Sequence, residues 1–146
     1  MRSSLGMADS YIEGAVSTVF LDYKPVDNLD SAIISPGCLV SLSAAMPGLV
    51  GAVMRRNSPY ASFREGISHE GQQGAEVAAA TRTCLVRVKL FNSIMRDHGP
   101  ALLQSGILVE ASRLAALLGS PLPQGYNTTP ADPGYLLLRT DAVPGS

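Results

Sequence analysis

The sequence predicts a mainly α-helical single domain of four or five helices over residues 10–119, with an N-terminal extension at 1–9 and an extended C-terminal arm at 120–146. Three observations predict it. Cys84, Val88, Phe91 and Met95 recur at i, i+4, i+7 and i+11, which places them on one side of a helix over 72–99. Leu103, Ile107, Ala111, Leu114 and Leu118 repeat the pattern over 101–118. Five of the ten prolines then fall in the last 26 residues, where no helical period survives.

Taken in order, Ser10 opens the first helix with Glu13 three residues on, as in a capping box. Ile12, Val16, Val19, Phe20 and Tyr23 keep helical spacing until Lys24-Pro25, since the residue before proline avoids the helical region. Residues 32–54 form a run of 23 without charge, ending at Arg55-Arg56. Its length suffices to span a bilayer, and the arginines resemble a positive flank. Pro36, Pro47 and the glycines and serines around them lower its hydrophobicity. The favoured reading is a buried helix pair, with Ser35 as cap, a break at Pro47 and a second helix from Gly48 to Arg56.

Asn57-Ser58-Pro59 is a turn, and Tyr60, Phe63 and Ile67 make a short apolar stripe after it. The segment 68–74, SHEGQQG, reads as a loop. The alanine-rich 76–81 leads into the central helix, with Arg82, Lys89 and Arg96 on the side opposite its apolar face. Gly99-Pro100 is the expected stop, so the helices on either side should pack as a hairpin. Glu110 and Arg113 form an i,i+3 pair, and Gly119 with Pro121 closes the last helix. In the arm, YLLLRT at 135–140 is a strand-like island. The alternative fold is α+β, with strands near 16–22, 84–91 and 135–140, because Cys84, Val86, Val88 and Leu90 also alternate.

Composition narrows the function. Net charge is −1, which disfavours nucleic acid beyond a local contact. Charged residues are 16%, below the usual quarter, which points to surface covered by other chains. Cys38 and Cys84 stand alone and read as core thiols, and His69 and His98 are too few and too far apart for a metal site or a catalytic triad. No phosphate-loop, HExxH, GxSxG or EF-hand pattern occurs, so no catalytic residue, metal or cofactor is assigned. Residues 1–14 carry no secretion pattern, so the expected setting is the cytoplasm or a particle assembled there. Asn127-Thr128-Thr129 then reads as a chance sequon in a polar loop.

The expectation is a non-enzymatic structural subunit of a homo-oligomeric or multi-protein assembly, such as a filament, shell or particle. Its arm would reach neighbouring subunits. Candidate interface residues are Arg55, Arg56, Tyr60 and Arg64 near the mid-chain turn, and Tyr135, Leu136, Leu137 and Leu138 in the arm. Two alternatives remain: a small subunit of a membrane complex spanning at 32–54, and a small enzyme or ligand-binding domain using the Arg55, Arg56 and Arg64 neighbourhood with Tyr60 and His69.

Overall fold

The computed structural model describes residues 7–69 and 84–141, and these carry four α-helices, one 3-10 segment and seven strands in two sheets. The chain is therefore α+β, the alternative class, and the mainly helical expectation is wrong. Two compact units divide it, Met1–Met95 and Arg96–Ser146.

The first unit opens with α1 (Asp9–Ala15), whose N-cap is Ala8 rather than the expected Ser10. The predicted helix ends there, because Thr18–Leu21 is strand β1. Its threonine, valine and phenylalanine suit a pleated surface better than a helix. A two-residue loop, Asp22 and Tyr23, joins β1 to β2 (Lys24–Pro25), and both loop residues have positive φ, as a type I′ hairpin turn requires. The Asp22 carboxylate accepts the Leu39 N–H at 2.8 Å and fixes this turn to the next strand.

That strand is β3 (Leu39–Ser43), and it corrects the reading of 32–54. The uncharged run is neither a span nor a helix pair: it is a strand, a turn and the seven-residue α2 (Gly48–Met54). Among the described residues no helix is long and apolar enough to cross a membrane. Gly51 permits the tight start of α2, since a Cβ there would stand 1.9 Å from the Met46 carbonyl oxygen. The 3-10 segment Ala61–Ile67 follows.

The central-helix expectation fails next. Residues 72–83 of it lie outside the described residues, and Arg87–Phe91 is strand β4, parallel to β3. The sheet order is β2-β1-β3-β4. Val19, Leu21, Val40 and Leu42 point to one face of it and pack with Ile12, Val16, Val26, Leu29 and Ile94. Each such buried side chain contributes roughly 1.5–3 kcal/mol. Ile94 is fully buried, whereas Phe91 and Met95 of the expected apolar face are exposed. Of the two thiols, Cys38 is buried as expected and Cys84 is half-buried.

Helix α3 (Asn92–Ser105) runs through Gly99-Pro100 without stopping. Gly99 does not take a left-handed conformation, so Pro100 removes one hydrogen bond but no cap forms. Gly106, at φ 102°, ends the helix instead, where a Cβ would press on Arg139 and Leu137. The expected helix over 101–118 thus divides into the end of α3, strand β5 (Ile107–Glu110) and α4 (Ala111–Leu118). Gly119 closes α4 as expected, and Arg113 Nε pairs with Glu110 Oε2 at 2.7 Å.

The second unit is completed by β6 (Tyr126–Pro130) and β7 (Tyr135–Thr140), in an antiparallel sheet of order β5-β7-β6. The expected arm is therefore two strands of a folded sheet, and the sequon lies in β6 rather than a loop. Leu138, opposite Ile107 and Thr128 in the central strand, is buried along with Leu114.

Candidate functional site

The mid-chain arginines are brought together, but for the fold. The Arg64 guanidinium is buried, with a side chain only 1% exposed. Its Nη1 and Nη2 donate to the two Asp27 carboxylate oxygens at 3.0 and 2.6 Å. Nη1 also donates to Ser68 Oγ at 2.8 Å, Nη2 to the Arg55 carbonyl at 3.2 Å and Nε to the Val53 carbonyl at 2.8 Å. All five guanidinium donors are thereby used, which is what allows a charge to stay buried. The hydrogen bond from Arg64 holds the Asp27 carboxyl below its ordinary range, against the opposing effect of burial, with help from the Asn57 N–H and the charges of Arg64 and Arg56.

Arg56 acts similarly. Its Nη2 donates to the Ile12 and Val16 carbonyls at 2.9 and 2.8 Å, satisfying groups at the end of α1. Arg55 is exposed at the end of α2, and Tyr60 is exposed with its ring stacked against Phe63. A cavity of about 550 Å³ adjoins Arg56, but Glu13, Asp27 and Asp30 also line it, so its charge is unsuited to an anion clamp. The His69 N–H donates to the Pro25 carbonyl at 2.8 Å. Among the described residues no group of histidine, cysteine, aspartate or glutamate could hold a metal. In the second unit Tyr135 is exposed, Leu136 and Leu137 are half-buried, and Leu138 is enclosed by its sheet.

A second cavity, of about 530 Å³, escaped the sequence reading. It lies on the face of the first sheet opposite the core. The strand register sets Phe20, Ser41 and Lys89 side by side, with Ser43 and Phe91 in the next row. Met46, Pro47 and Val50, where α2 begins, form the opposite wall. Tyr23 stands at the rim, 74% exposed, with Lys89 Nζ 5.9 Å from its ring centroid. Asn92, at φ 55°, turns the chain from β4 into α3 and donates through Nδ2 to Ser43 Oγ at 3.2 Å. No local motif announces this site, because three strands distant in sequence supply it.

The chain matches no protein-family model, no curated protein and no solved structure.

Proposed function

We propose that the protein is a non-enzymatic structural subunit that assembles with copies of itself. The observation that carries this reading is a set of exposed apolar side chains on two consecutive elements that pack together, α2 and the 3-10 segment with its N-cap Tyr60. Leu49 is 72% exposed and Phe63 77%, with Tyr60 and Ile67 also open to solvent. Single exposed apolar residues are ordinary, whereas several on adjoining elements mark a surface that another chain covers. The low charged fraction agrees with this. Of the expected interface residues, Tyr60 belongs to this set, Arg55 is exposed at the end of α2, and buried Arg64 donates to the Arg55 carbonyl.

Light scattering of the purified chain tests the reading. The wild-type chain should have a native mass several times that of one chain. The Leu49→Lys/Phe63→Asp variant, altered only at exposed positions, should fall to a monomer with unchanged circular dichroism. A wild-type chain that is monomeric at every concentration overturns the homo-oligomeric reading.

A further inference from the structure

We propose that the cavity over the outer face of β1, β3 and β4 binds a small aromatic carboxylate, with its ring between Phe20, Tyr23 and Phe91 and its carboxylate at Lys89. The volume, about 530 Å³, falls within the range of small-molecule sites, and apolar walls with a few polar groups match their composition. Among the described residues Lys89 is the only charged one lining it. Among the described residues no carboxylate pairs with Lys89, whose ammonium group instead lies over the Tyr23 ring. A cation without a counter-ion at the mouth of an apolar basin selects an anion with an apolar body. Three aromatic side chains around the basin favour a planar body, which stacks on or against such rings.

The backbone at Tyr23 supports the same conclusion. Its φ of 69° lies in the left-handed region, which bulky residues avoid and glycine or asparagine fills at no such cost. A tyrosine there, with its ring mostly exposed, does not serve the core. Strained positions of this kind cluster where a side chain must be presented. The bond from Leu39 N–H to the Asp22 carboxylate holds the turn that presents it. The inference does not depend on the assembly reading, since Leu49 and Phe63 take no part in the cavity.

Calorimetric titration of the full chain with 2-naphthoate and with uncharged 2-naphthamide tests it. Naphthoate should bind at one per chain and more tightly than naphthamide by about fivefold, as an exposed ion pair provides. That advantage should shrink as salt is raised. Lys89→Gln should remove the difference between the two ligands. Tyr23→Gly should weaken both, and Tyr23→Phe should restore them. Absence of naphthoate binding, or equal affinity of the wild-type chain for naphthoate and naphthamide, overturns the proposal. The two-ligand comparison on the wild-type chain decides the matter even where a variant folds poorly.

Discussion

At the scale of single residues, Arg64 shows how a charge can be legible while its task is not. The sequence shows four polar or aromatic residues near one turn, Arg55, Arg56, Tyr60 and Arg64, and such clusters suit anions or partners. The partner that decides the matter, Asp27, lies 37 residues earlier and carries no local signal. Because the folded Asp27 carboxyl titrates below its ordinary value of 3.8, the unfolded chain binds more protons between the two values. The pair's stabilisation is therefore complete above pH 4 or so and is lost as pH falls through the lowered folded value. Asp27→Asn should flatten that acid limb in urea titrations. At neutral pH it should cost about 2 kcal/mol, below the usual figure for a broken buried pair because solvent reaches the Asp27 side. An acid limb unchanged by the substitution would show that Arg64 finds its partners elsewhere.

At the scale of elements, local signals served where they were sufficient. Gly119 closes α4, Gly48 begins α2 and YLLLRT forms β7, each decided by a few adjacent residues. The helical spacing of Cys84, Val88, Phe91 and Met95 misled because the alternation of Val86, Val88 and Leu90 overlaps it. The choice between them is made by β3, more than 40 residues earlier in the chain. Hydrogen exchange separates the two patterns. The Arg87 N–H bonds the Cys38 carbonyl at 2.9 Å, so in a parallel ladder the amides of Arg87, Lys89 and Phe91 face β3 and those of Val88 and Leu90 face away. Amides 87, 89 and 91 should exchange slowly and amides 88 and 90 rapidly. Continuous protection from 86 to 91 would instead indicate the helix that the spacing suggests, or another strand laid along the outer edge of β4.

At the scale of the whole molecule, the proline-rich C-terminal sequence is where composition and fold diverge most. Prolines and glycines normally mark an arm that gains order only against a neighbour. Here they bound two strands: Gly125 and Gly134 take left-handed turns before β6 and β7, and Pro130 ends β6. The apolar trio Leu136, Leu137 and Leu138 meets β5 in register rather than another chain. Removing residues 121–146 should accordingly disrupt the second unit rather than trim a free arm. It takes away both strands that complete the second sheet and leaves Ile107–Glu110 without the backbone partners that β7 supplies. It also uncovers Leu114, whose burial is worth roughly 1.5–3 kcal/mol. The first unit's core cluster is built from residues 7–94 and loses none of its members. In the truncated chain, amides of β5 and α4 should therefore exchange freely while those of β1 and β3 stay protected. An arm dispensable to the fold predicts the contrary result, with β5 and α4 protected as in the full chain and only the native mass reduced.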